Sequence, residues 1–166
     1  MINIQLMNEQ DFDFFTDMLY ESFYIPENKP SKEVLLTSSQ LKKYSEGWGR
    51  EGDRAIIAYT NEGNPIGAAW YRLFTKENQG YGYIDEQTPE LGIAISSEGR
   101  GKGVGTILMK SLIKSANDDG FSSLSLSVDP DNLTALHLYQ KLGFQKCGES
   151  GTSWTMVLAI NRPHLR

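Results

Sequence analysis

Four glycines at alternate positions, Gly99, Gly101, Gly103 and Gly105, enclose Arg100 and Lys102 in the stretch of this 166-residue chain that most directly suggests chemistry. An apolar run precedes them, with Leu91, Ile93 and Ile95 alternating against Gly92 and Ala94, and a segment of helical spacing follows from Val104 and Thr106 onward. That order is strand, glycine loop, helix. The first turn of such a helix leaves several backbone N–H groups without intrahelical partners, reinforced by the positive end of the helix dipole. A spot of that kind binds phosphate. Arg100 adds a full charge at its rim, and the missing Cβ of glycine lets a bulky anion approach the chain. Two familiar phosphate loops are excluded by spacing. A P-loop needs lysine after its last glycine, where Gly105 is followed by Thr106, and a dinucleotide fingerprint needs a third glycine where Val104 or Thr106 stands.

What the stretch does satisfy is Arg-x-x-Gly-x-Gly, through Arg100, Gly103 and Gly105. A second constellation follows about 30 residues on: Asn132, Ala135, Tyr139 and Leu142-Gly143-Phe144, spaced Asn-x-x-Ala-x-x-x-Tyr-x-x-Leu-Gly-Phe. Asn132 and Tyr139 are almost two helical turns apart and project from one face. In this order, each after its own strand, the two regions resemble the acetyl-CoA loop and the tyrosine-bearing helix of the GNAT superfamily of N-acetyltransferases. By element order the resemblance spans roughly residues 54 to 160, and topology alone extends it to the N-terminal third.

The resemblance implies an α/β fold with a mixed sheet of about seven mostly antiparallel strands, a central parallel pair splayed apart, and about four helices. It implies acetyl-CoA as cosubstrate, with pantetheine along Ile93, Ala94 and Ile95 in the splay and pyrophosphate on the N–H groups from Gly101 through Lys102, Gly103, Val104 and Gly105 to Thr106. Arg100 would stand at the edge of that cradle, and Asn132 would make a polar contact with the coenzyme. The reaction implied is attack of an amine on the thioester. An alkylammonium is less than about 0.1% neutral at pH 7, so a base must take its proton. Glu90 matches the place where relatives carry one, with Glu86, Asp85 or a carboxylate-held water as alternatives. Tyr139 would protonate the departing thiolate, and the Ile93 N–H would stabilise the tetrahedral oxygen. A catalytically inactive acyl-CoA-binding sensor is the alternative function.

The elements that must position these groups can be read along the chain. Ile2, Ile4 and Leu6 alternate as a half-buried strand. Asn8 stands at a cap position before Phe12, Phe15, Leu19 and Phe23, which recur at helical spacing, and Ser31 opens a second helix through Val34, Leu35, Leu41 and Tyr44 that fades near Gly47. Arg54–Tyr59 and Pro65–Phe74 read as a hairpin around Asn61-Glu62-Gly63-Asn64, with Trp70 and Tyr71 in the core. A polar, tyrosine-bearing loop covers residues 75–87, and loops of that length inside a domain are often functional. Strand 90–96, the glycine loop, a helix to about Ala116 and strand 122–128 form a right-handed crossover, so those strands run parallel. A helix from Leu133 to about Leu142 stops at Gly143, and Phe144–Cys147 with Trp154–Ile160 closes the sheet as a hairpin.

Length fits a single domain over residues 1–166. Hydrophobic residues at 39% and charged ones at 22% are ordinary for a soluble globular chain, and no run is apolar enough for a membrane span. The N-terminus lacks the basic start of a signal peptide, which points to a cytoplasmic protein. Cys147, the one cysteine, can form no intrachain disulfide, and His137 and His164 have no ligand pattern around them, so no metal is expected. A net charge of −5 without a basic stripe argues against nucleic acid. The expected acceptor is a small-molecule amine or a protein amino group. A homodimer stays open.

Overall fold

A computed structural model describes residues 1–160, so His164 lies outside the described residues. Its strands are β1 (Asn3–Leu6), β2 (Arg54–Tyr59), β3 (Pro65–Arg72), β4 (Glu90–Ile95), β5 (Ser123–Val128), β6 (Gln145–Ser150) and β7 (Ser153–Ala159). Its α-helices are α1 (Phe12–Ser22), α2 (Lys32–Leu36), α3 (Val104–Asp118) and α4 (Leu133–Lys141). The strands form one sheet in the order β1-β2-β3-β4-β5-β7-β6. All neighbours are antiparallel except β4 and β5, which are parallel. This is the mixed α/β architecture that the sequence led us to expect.

Both faces of the sheet are covered, which is why strands β2 and β3 read as nearly continuous apolar runs. On one face α3 and α4 bury Val104, Leu108, Leu112, Leu136 and Tyr139 against Ile56, Ile66, Tyr71 and Leu91. On the other, α1 and α2 bury Phe15, Leu19, Leu35 and Leu36 against Ile57, Ala68, Trp70 and Phe74. Trp70 and Tyr71 are thus both core residues, on opposite faces, because successive side chains of a strand alternate. β4 follows the same rule. Ile93 and Ile95 turn toward α3, whereas Ala94 turns toward α1. Gly92 leaves room for the Trp70 indole, whose Nε1 would lie 2.7 Å from a Cβ placed there.

Three local expectations are corrected. Asn8 caps a 3-10 turn, Glu9–Asp11, and α1 begins only at Phe12. The second helix ends at Leu36 instead of running through Tyr44, which sits in a separate 3-10 turn, Lys42–Tyr44. Hydroxyls cause the break: Thr37 Oγ1 donates to the Glu33 carbonyl at 2.6 Å and Ser38 Oγ to the Leu35 carbonyl at 2.8 Å. Such side chains compete with the helical ladder for its acceptors. Leu6, at the end of the edge strand β1, is 61% exposed rather than packed inward.

Candidate active site

The parallel pair is joined at one register position only, Glu90 opposite Ser125, where the Ser125 N–H donates to the Pro89 carbonyl at 3.0 Å. Beyond it the strands part. Backbone groups of a strand point alternately to its two neighbours. The Ser96 N–H donates to the Ile66 carbonyl of β3 and the Pro89 carbonyl accepts from β5, so the N–H and C=O groups of Ile93 and Ile95 face the gap. Those groups are offered to any extended ligand that lies there.

The gap opens into a cavity of about 890 Å³ that passes between the two faces of the sheet. Along β4, the glycine loop and the start of α3 it is lined by Ile93, Ala94, Ile95, Arg100, Gly101, Gly103, Val104, Gly105 and Thr106, with Asn132 and Tyr139 of α4. Lys102 is exposed and does not line it. Among the described residues, the N–H groups of residues 101–106 make no hydrogen bond, and the first helical bond of α3 runs from Ile107 N–H to the Gly103 carbonyl. Gly101 and Gly103 adopt φ of +76° and +75°, with nothing within 4 Å of a Cβ at either position. Left-handed backbone of this kind favours glycine, and it turns successive amides toward one concave spot. Arg100 forms no ion pair among the described residues. The cradle therefore fits a diphosphate by its donors, its charge and its open space.

Asn132 stands at the N-cap of α4 without using its side chain to cap, which leaves that amide available to the cavity. Tyr139 is 7% exposed, and its hydroxyl has no hydrogen-bond partner among the described residues. Burial raises its pKa well beyond the ordinary phenol value, so it stays protonated at neutral pH.

From the α1 side the cavity is lined by Phe23, Tyr24, Ile25, Leu41, Tyr44, Trp70, Arg72, Tyr81 and Glu90. Glu90 is 6% exposed, and burial pushes its carboxyl up to about 7. The Tyr44 hydroxyl bonded to it, the Gly82 N–H and Lys43 pull less strongly the other way. Oε2 accepts from Tyr44 at 2.8 Å, whereas Oε1 is buried without a well-formed hydrogen bond. The structure separates Glu90 from the other two carboxylates considered. Asp85 and Glu86 accept from the Gln87 and Lys76 N–H groups, and they line a different pocket beside Leu73 and Phe121.

Two lining residues had no chemical signal in the sequence, and a third, Tyr81, had only that of its tyrosine-bearing loop. Tyr44 looked like one more apolar position of a helix, and Arg72 like part of an apolar strand. Arg72 is 1% exposed and makes four hydrogen bonds, to both Asp53 carboxylate oxygens and to the Lys43 and Glu46 carbonyls. Its chemistry is visible only once Asp53 is seen beneath it. Among the described residues no group of three or more His, Cys, Asp or Glu side chains could hold a metal, and no helix is long and apolar enough to cross a membrane.

The family model for acetyltransferases of the GNAT family matches residues 12–144. The chain belongs to that family. Among curated relatives, N-acetyltransferase 8B of Homo sapiens is 36% identical over 73 residues, 43% of this chain and 32% of its own. Mycothiol acetyltransferase of Paenarthrobacter aurescens is 31% identical over 63% of this chain and 31% of its own, and streptothricin acetyltransferase of Streptomyces lavendulae 25% over 83% and 74%. The chain thus spans about a third of the length of the first curated relatives it matches. Among solved GNAT structures, a phosphinothricin acetyltransferase of Sinorhizobium meliloti in complex with acetyl-CoA superposes with a TM-score of 0.69 at 20% identity, over 96% of this chain and 89% of that one. A ribosomal-protein-alanine N-acetyltransferase of Brucella melitensis does so at 0.68 and 19%, over 95% and 99%.

Proposed function

We propose that this GNAT chain, as one catalytic domain over residues 1–166, transfers an acetyl group from acetyl-CoA to a primary amine by direct attack. The observation that carries the reading is a single cavity lined by three things: five backbone donors and a phenol without partners among the described residues, and a buried carboxylate held by a tyrosine hydroxyl. Pyrophosphate lies on the amides of residues 101–106 with Arg100 beside it, pantetheine pairs with Ile93 and Ile95 next to Ala94, and Asn132 contacts the coenzyme. The acceptor enters among Phe23, Tyr24, Tyr44 and Tyr81 and gives its proton to Glu90, directly or across one water. Its nitrogen forms the new C–N bond while the Ile93 N–H holds the developing oxyanion. The C–S bond then breaks and the sulfur takes the Tyr139 proton, so the coenzyme leaves as a neutral thiol, and the second proton that the nitrogen sheds as the amide forms restores the phenol. Alignment in the cavity supplies much of the acceleration.

The acceptor is a small-molecule amine or a protein amino group, and the test is a panel of polyamines, amino acids, aminoglycosides and peptides. Acetyl-CoA-dependent release of thiol, matched by acetylated amine, is the expected result. Binding of acetyl-CoA without thiol release for any amine would replace this reading by that of an acyl-CoA sensor.

A further inference from the structure

Glu90 does not stand alone in the cavity wall. Its Oε2 accepts from the Tyr44 hydroxyl at 2.8 Å, and that hydroxyl oxygen accepts in turn from the Tyr81 N–H at 2.7 Å. A backbone amide can only donate, so the direction of the chain is fixed: Tyr81 N–H to Tyr44 oxygen, and Tyr44 proton to Glu90. The loop supplying Tyr81 also touches both parted strands. A Cβ on Gly80 would lie 2.1 Å from Glu90 Oε1 and 2.9 Å from the Tyr44 hydroxyl, and one on Gly82 would lie 2.6 Å from the Leu126 carbonyl carbon of β5. Residues 80–82 therefore rest on β4 and β5 just beyond their last paired position, fixed by contacts that only glycines allow.

We infer that Tyr44 is a positioning residue for the reaction: through its bond to Oε2 it holds the Glu90 carboxylate in the cavity wall, in the orientation that takes the proton of the acceptor amine. This rests on the reading of Glu90 as base. It assigns work to a 3-10 turn and a loop outside both sequence motifs. Other groups near the carboxylate cannot substitute for Tyr44. Lys43 Nζ donates to the Gln79 carbonyl, Arg72 donates to Asp53 and two carbonyls, and the Gly82 N–H makes no well-formed bond to the carboxylate. Tyr44 stays protonated as a donor, because burial and the adjoining Glu90 both raise its pKa.

Tyr44→Phe is the decisive variant, because its ring contacts with Phe23 at 5.5 Å and Phe74 at 5.1 Å need no hydroxyl. The lost bond favours ionised Glu90. We expect the acidic limb of the kcat/KM pH profile to move up by about one unit and kcat/KM at pH 7 to fall about fivefold, with the Kd for acetyl-CoA unchanged. In a Glu90→Gln background the same substitution should cost nothing further, since residues acting through one group are not additive. Gly80→Ala gives an independent reading, because it crowds Oε1 at a position without left-handed backbone and should lower turnover at unchanged coenzyme affinity. If Glu90→Gln removes activity while Tyr44→Phe leaves the acidic limb in place, or if Gly80→Ala turns over normally, the positioning role is wrong and the base survives. If Glu90→Gln retains full turnover and the same limb, the base assignment falls, and this inference with it.

Discussion

Glu90 and Tyr139 are ionisable groups buried in opposite senses of usefulness. Burial raises the carboxyl to about 7, so it can accept a proton near neutral pH, and raises the phenol so that it keeps one to give. Activity measured as kcat/KM should therefore rise with pH through about 7, and a profile flat from pH 5 to 9 would contradict Glu90 as base. The same shift has a cost. Folded Glu90 retains a proton that the unfolded chain releases between its ordinary 4.5 and about 7, so stability falls as pH rises through that window. Glu90→Gln should consequently stabilise the fold by up to about 3 kcal/mol at pH 8 and by almost nothing near pH 4.5, read from urea denaturation at both values. Tyr139→Phe removes a hydroxyl without a partner among the described residues, so its melting temperature should not drop. Its kcat should fall about a hundredfold while calorimetry shows the acetyl-CoA Kd nearly intact.

At the scale of elements, the motifs were legible because each belongs to one continuous segment. The bounds of β2 and the start of α3 followed directly from apolar spacing and from Gly103. The cradle is local as well: left-handed glycines and an unpaired first turn need no distant partner. Gly103→Val should weaken acetyl-CoA binding about tenfold or more, because a β-branched residue strains φ of +75° and places its side chain in the cradle. An unchanged Kd by calorimetry would remove the loop from the site. What could not be read was the stretch between Leu36 and Tyr44. Apolar spacing there imitated a helix, while the Thr37 and Ser38 hydroxyls drew backbone acceptors away from one.

At the scale of the whole molecule, two cores clamp the sheet, and the parallel pair is left open where residues 80–82 rest against it. Arg72 ties the acceptor side together: its ion pair with Asp53 is buried on both sides, and it holds the carbonyls of Lys43 and Glu46 on either side of Tyr44. Asp53→Ala would strand that guanidinium. The expected loss is about 3–5 kcal/mol in urea denaturation, with reduced turnover because the turn carrying Tyr44 loosens. Sequence alone determined the central strands, the glycine loop that opens α3 and the common face of Asn132 and Tyr139, since helical and strand periodicity and glycine conformation act over a few neighbouring residues. Only tertiary structure decided which carboxylate faces the cavity and which hydroxyl holds it. Glu90, Tyr44 and Tyr81 meet across 46 and 37 residues of chain, and burial, which sets their protonation, is a property of everything packed around them.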